Sequence, residues 1–176
     1  ELFSAVTFPP AGWGRYDASA DNTGWTRSTA GSGGNNGSAK MDYYSSAAGN
    51  IDELYLPSID LTGVNAASLT FKICKAPYSG YTDNLKVNVS TDCGATWNTL
   101  WNKSDPALST VAALGTAFTP GGASTWRLET VDLVSLLGQV NSNIVFKATS
   151  GYGNNGYLDE INVIITTRVG ENKLEE

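Results

Sequence analysis

Gly151-Tyr152-Gly153-Asn154-Asn155-Gly156-Tyr157-Leu158-Asp159-Glu160-Ile161-Asn162-Val163 is a glycine- and asparagine-rich turn that runs into a strand. Beyond the turn Ile161, Val163 and Ile165 alternate with Asn162 and Thr166, the period of a half-buried strand. A loop loaded with oxygen ligands, followed by a carboxylate held on a strand, suits calcium. The same residues suit a tight connection in which Asp159 caps backbone N–H groups.

Working outward, Ile144, Phe146 and Ala148 lead into this turn as the preceding strand. Leu69, Phe71 and Ile73 alternate with Thr70, Lys72 and Cys74, and Leu85, Val87 and Val89 with Lys86, Asn88 and Ser90. Each therefore has one buried and one wet face. Thr91-Asp92-Cys93-Gly94 is a turn, with Asp92 as turn former, and Thr96 to Trp101 runs away from it. Leu2 to Phe8, Ser38 to Tyr44, Ile51 to Leu56 and Trp126 to Leu133 read as further strands; Ser28 to Ser38 reads as an irregular loop. Residues 103–122 form a long connection with a helical turn after Asp105-Pro106. Nine or ten short strands separated by turn signals predict an all-β, antiparallel two-sheet sandwich in one domain over residues 1–168. Residues 169–176 read as a linker or tail, and Glu1-Leu2-Phe3 as the start of a segment cut from a longer polypeptide.

Composition narrows the chemistry. Among 176 residues there is no histidine, which removes zinc sites built on imidazole and nucleophiles activated by a histidine base. The net charge of −6 with no basic run argues against nucleic acid, and no apolar run is long enough to span a membrane. Many acids are present, but no motif selects two of them as a hydrolytic pair, so the reading is non-enzymatic.

An ordered series of short motifs runs through the chain: Phe8-Pro9-Pro10-Ala11-Gly12-Trp13, Trp25, Gly37-Ser38-Ala39, Asp52 to Leu61, Leu69-Thr70-Phe71, Ala76-Pro77-Tyr78, Asp83-Asn84-Leu85, Val89 to Trp97, Phe118-Thr119-Pro120, Trp126-Arg127 and Gly153 to Ile161. The series resembles the choice-of-anchor J and cleaved-adhesin group of jelly-roll domains, which are similar in architecture to MAM and galactose-binding domains. It covers roughly residues 1–166. The resemblance implies a jelly-roll β-sandwich, calcium-stabilised and non-catalytic, in a secreted or cell-surface protein of Bacteroidetes exported by type IX secretion. Its partners would be glycan or protein ligands and the neighbouring domains of a larger polypeptide. The alternative is a purely structural spacer beside a secreted peptidase or glycosidase.

In jelly rolls of this kind an ion joins the N-terminal region to the last strand. Here that implies Asp159 with Glu1, Asp17 or Asp21, and Asn22 completing the shell. Asp42, Asp52, Asp83 and Asp92 are candidates for a second oxygen-rich site, each also explicable by solvation or turn capping. Cys74 and Cys93 are candidate disulfide partners in an oxidising compartment, with one objection. If the two middle strands form a tight hairpin, Cys74 meets the start of the second strand, not its end. Trp13, Trp25, Trp97 and Trp126 lie near strand starts and read as core or corner residues. Tyr43, Tyr44, Tyr78, Tyr81 and Tyr152 fall in or beside loops, where ring faces can stack on sugars. Asn154 and Asn155 are the expected hydrogen-bonding partners beside Tyr78, Tyr81 and Tyr152.

Overall fold

A computed structural model describes residues 1–34 and 37–167; the predicted tail at 169–176 lies outside the described residues. Among the described residues ten strands form: β1 (Gly14–Asp17), β2 (Trp25–Ser28), β3 (Ser38–Met41), β4 (Ile51–Tyr55), β5 (Val64–Lys75), β6 (Asn84–Ser90), β7 (Asn98–Ser104), β8 (Arg127–Asp132), β9 (Asn143–Thr149) and β10 (Gly156–Thr167). They pair antiparallel in two five-stranded sheets, ordered β1-β4-β9-β6-β7 and β2-β3-β10-β5-β8. Among the described residues helix is confined to three single 3-10 turns. The all-β two-sheet sandwich predicted from the alternation is the observed architecture.

The core lies between the sheets. Leu54, Leu85, Val87, Val89, Ile144, Phe146 and Ala148 face it from one side, and Leu69, Phe71, Ile73, Leu158 and Ile161 from the other. Phe71 meets Phe146 and Trp101 edge-on at 5.0 and 5.4 Å between ring centroids. Across the edge formed by β7 and β8, Lys103 of one sheet reaches Glu129 of the other at 2.7 Å, an ion pair joined by Arg127.

The last strand carries an irregularity that sets its two halves. Leu158 faces the core, and strict alternation would next bury residue 160. A register shift between Asp159 and Asn162, with Glu160 in the left-handed region at φ 49°, buries Ile161 instead. This bulge adds one residue to β10 and re-aims everything beyond it.

One strand expectation is corrected. Leu2 to Phe8 is not a strand: Phe3 is buried in the core, and the Arg27 guanidinium fastens the segment by donating to the Phe3 and Ser4 carbonyls at 2.9 and 3.3 Å. β1 and β2 fall in stretches without a strand signal, being too short at four residues each to show periodicity. Each is held by the ladder it joins, β1 on β4 and β2 on β3. The turn expected after Asp105-Pro106 is present, closed by Leu108 N–H donating to the Ser104 carbonyl at 2.9 Å.

Cys74 and Cys93 do not pair; both thiols are free. The reason is topological, because β5 and β6 lie in different sheets, with Cys74 near the end of β5 and Cys93 past the tip of β6. Cys74 is not on a wet face either. The connection between β7 and β8 folds over that side of the sheet and buries it with Ala76, Phe118 and Tyr157. Its thiol donates to Thr125 Oγ1 at 3.3 Å, and burial pushes its pKa up.

Candidate functional site

The glycine-asparagine turn is organised by a buried charge. Asp83, fully buried at the entrance to β6, accepts the N–H groups of Gly151, Gly153 and Asn154 at 2.8, 3.0 and 3.1 Å. Its charge is balanced by Lys75, whose ammonium lies 2.8 Å from Asp83 and 2.9 Å from Asp105. The third Lys75 proton goes to the Ala76 carbonyl at 3.1 Å, and the Tyr43 ring covers the ammonium at 5.2 Å. Gly153 is required here, since a Cβ on it would stand 2.1 Å from Asp83 Oδ2.

Asn154 and Asn155 serve the same scaffold and are corrected as ligand-binding residues. Asn154 is fully buried; its amide donates to the Leu114 and Thr116 carbonyls at 3.0 and 2.9 Å and accepts Phe118 N–H at 2.8 Å. Asn155 donates to the Phe118 carbonyl at 3.2 Å. These amides complete the backbone hydrogen bonds of the long 105–126 connection, leaving no polar atom for a ligand.

Four of the five loop tyrosines converge on the outside of this turn. Tyr44 and Tyr78 approach at 6.2 Å between centroids, Tyr78 and Tyr81 at 5.4 Å, and Tyr81 and Tyr152 at 5.5 Å. Tyr81 and Tyr152 are 42% and 50% exposed, while Tyr44 and Tyr78 are half-buried. Tyr44, Tyr78, Tyr152 and Gly153 line a shallow cleft of about 70 Å³. The rings are tilted or perpendicular to one another rather than coplanar. The fifth, Tyr43, is buried, with its hydroxyl donating to the Asn84 carbonyl at 3.0 Å. Of the tryptophans, Trp25 is core, Trp13 packs against the core, and Trp97 and Trp126 are half-buried.

The expected calcium ligands fall in two places. At the bulge of β10, Asp159 is fully buried, accepting Ser32 N–H at Oδ2 and Glu160 N–H at Oδ1, both at 2.7 Å. Glu1 lies at the same end: Ile161 N–H donates to its carbonyl at 3.1 Å, and Glu1 Oε1 accepts Phe3 N–H at 2.6 Å. Glu1 is therefore fastened to the last strand by hydrogen bonds. Asp17 and Asn22 instead line a pocket with Asp52, a pocket that neither Glu1 nor Asp159 lines. Asp21 stands beside it with Thr23 and Asn50 on its oxygens. One ion joining Asp159 to Asp17, Asp21 and Asn22 does not fit this division. Among the described residues no three acidic or thiol groups converge as a ready metal cluster.

The second acidic group, Asp42, Asp52, Asp83 and Asp92, does not assemble. Asp42 caps Ser45 N–H, Asp83 holds Lys75, and Asp92 builds its turn through Ser90 and Thr96. Those hydrogen bonds, chiefly from Thr96, hold the Asp92 pKa down to about 2. Of the four, only Asp52 has a buried carboxylate oxygen, Oδ2, without a hydrogen bond among the described residues, and sequence has no signal for that, since it depends on what the fold leaves out.

No family model matches the chain and no curated protein matches it. Among solved structures it is similar to the K1 cleaved adhesin domain of Lys-gingipain from Porphyromonas gingivalis W83, with 24% identity, 96% of both chains covered and a TM-score of 0.64. It is also similar to TmCBM61 in complex with β-1,4-galactotriose (13% identity, 94% of both chains, TM-score 0.57). A third is the family 11 carbohydrate-binding module of Clostridium thermocellum in complex with a mixed-linked tetrasaccharide (14% identity, 93% of this chain and 94% of that one, TM-score 0.52). At these identities the likeness establishes the shared β-sandwich fold. No helix among the described residues is long and apolar enough to cross a membrane.

Proposed function

We propose that this domain is a non-catalytic binding module of a secreted or cell-surface multidomain protein, and that its tyrosine cleft takes a glycan. The observation that carries the reading is the cluster Tyr44, Tyr78, Tyr81 and Tyr152, which keeps two half-exposed rings in solvent around a turn anchored from below by Asp83. Tyrosine offers an apolar ring to sugar C–H groups and a hydroxyl to sugar hydroxyls, at small entropic cost because the scaffold holds the loop in place. Mutually inclined rings suit the end or a bend of a soluble chain better than a flat crystalline surface. The oligosaccharides bound by two of the similar structures support that ligand class.

Calcium at the clasp belongs to the same proposal. Asp159 with Glu1 would hold an ion there, and the ion would supply cross-linking of the chain's ends by mass action. Asp159→Asn would then lose the calcium-dependent gain in melting temperature without altering glycan binding.

A glycan array probed with the domain, followed by titration calorimetry on any hit, tests the reading. Retained affinity in the Tyr152→Ala and Tyr78→Ala variants would sink the cleft as the site. An array without hits, beside capture of a defined protein ligand, would move the function to protein adhesion.

A further inference from the structure

We propose that the tyrosine cleft selects cationic glycans, those carrying a protonated amino sugar, over neutral and acidic ones. This selectivity rests on the reading of the cleft as a glycan site. Tyr44, Tyr78, Tyr152 and Gly153 line it, so its side-chain walls are aromatic. The rings do not form one flat platform: Tyr44 and Tyr78 are inclined at 47°, Tyr78 and Tyr81 at 76°, and Tyr81 and Tyr152 at 66°. They present ring surfaces from several directions around a small volume of about 70 Å³. The face of each ring carries the negative part of its quadrupole, and an ammonium group within about 6 Å of it is attracted.

Beneath the cleft lies a surplus of negative charge. The Lys75 ammonium is shared by Asp83 at 2.8 Å and Asp105 at 2.9 Å, so one ammonium meets two carboxylates, and all three side chains are buried. Gly153 joins this group to the cleft, since it lines the cleft and donates its N–H to Asp83 at 3.0 Å. Charge in a low-dielectric interior is weakly screened, and its field reaches the cleft floor. The Tyr43 hydroxyl, buried beside the group, registers the same field. Burial first, then the charges of Asp83 and Asp105, hold its pKa well above the ordinary value.

No basic residue of the loops offsets that field. The three connections that carry the tyrosines, 42–50, 76–83 and 150–155, contain no lysine or arginine, and neither residue type lines the cleft. A uronic or sulfated sugar would enter with no cation to pair its charge, against a protein net charge of −6. The amides that would serve a neutral sugar, those of Asn154 and Asn155, are consumed by the 105–126 connection. A protonated amine uses what remains. Its N–H groups donate to tyrosine hydroxyl oxygens, and its charge meets the rings and the field of Asp83 and Asp105.

The test is titration calorimetry at about 0.15 M salt, which screens attraction to the surface at large. The probes are glucosamine and galactosamine oligosaccharides, each beside its N-acetylated form, with oligogalacturonate as the acidic probe. The free-amine forms should bind about tenfold more tightly than the N-acetylated forms, and oligogalacturonate should bind most weakly. The preference should vanish in Tyr78→Ala and Tyr152→Ala, which leave the net charge unchanged. It should narrow in Asp105→Asn, which removes the surplus charge, with a melting curve on each variant to show that it folds. Equal affinity for both forms overturns charge selection and, where Tyr152→Ala abolishes that binding, leaves the glycan site standing. A preference that persists in both tyrosine variants overturns it as well, because it then belongs to the acidic surface as a whole. Binding of neither free-amine series at millimolar concentration overturns it too, and an array hit on a neutral glycan then keeps the cleft as a glycan site.

Discussion

The carboxylate of Asp83 and the ammonium of Lys75 lie 2.8 Å apart with both side chains fully buried, and the tyrosine-bearing turn hangs from that pair. Removing the cation strands Asp83 and Asp105 in the interior. Lys75→Met should therefore cost about 3–5 kcal/mol, the usual penalty for an unpaired buried charge. Urea unfolding measures it, and a loss under about 1 kcal/mol would show that water already reaches the pair.

Gly153 lets Asp83 approach the turn from below. Gly153→Ala forces a Cβ into a space where Asp83 Oδ2 would be 2.1 Å away. The expected cost is about 1–3 kcal/mol, as for overpacking elsewhere, together with weaker ligand binding because the tyrosines ride on the same loop. Gly121→Ala, with open space around its Cβ, is the matched control and should leave melting nearly unchanged.

Tyr152→Ala removes a half-exposed ring that only Tyr81 contacts among the aromatic pairs of the cluster. Stability should change by less than about 0.5 kcal/mol, and glycan affinity should fall about tenfold, equivalent to 1.4 kcal/mol. Thermal melting beside calorimetry separates the two effects.

Glu129 gives the fold an acid-side pH dependence. Burial alone would raise its pKa, but hydrogen bonds from Lys103 and Arg127 hold it below the ordinary value. A carboxylate with a lowered pKa in the folded state contributes stability above its unfolded pKa and loses it as pH falls through the folded one. Glu129→Gln should flatten the decline of stability below about pH 4.5. At neutral pH it should lower stability by about 1–2 kcal/mol, allowing for the partly solvated Lys103. An unchanged acid limb in denaturant titrations at pH 3 to 6 would exclude this assignment.

The two thiols should differ sharply. Cys93 is exposed and Cys74 buried with a raised pKa. A thiol reagent should label one cysteine per native chain and two after unfolding, and mass measurement without reductant should find no bridge. One native label fewer, together with a mass lower by two hydrogens, would restore the disulfide.

Strand periodicity made much of this fold legible. Leu69, Phe71 and Ile73, or Leu85, Val87 and Val89, announce their buried face because period-2 alternation is local and burial acts on every second residue. Asp159 was recognisable as a carboxylate held on the strand after the turn, and Asp92 as a turn former, because the Ser-Thr-Asp-Cys-Gly turn is closed by near neighbours, Ser90, Gly94 and Thr96. Asn154 and Asn155 were misread for the opposite reason. A polar residue in a glycine-rich loop looks solvent-facing until the 105–126 connection covers it, and that covering is a long-range event.

By itself, then, the sequence determined the all-β class, the sandwich and the exclusion of histidine chemistry, since composition and alternation are properties of short stretches. Tertiary structure alone decided which face of β5 is dry at Cys74, that the acids divide between the Asp159 end of the last strand and the Asp17–Asp52 pocket, and that Tyr44, Tyr78 and Tyr152 share one cleft with Tyr81 beside it. Those outcomes depend on which strands become neighbours across two sheets, and strand order is set by contacts between residues far apart in the chain, whose side chains carry no local mark of the partner they will meet.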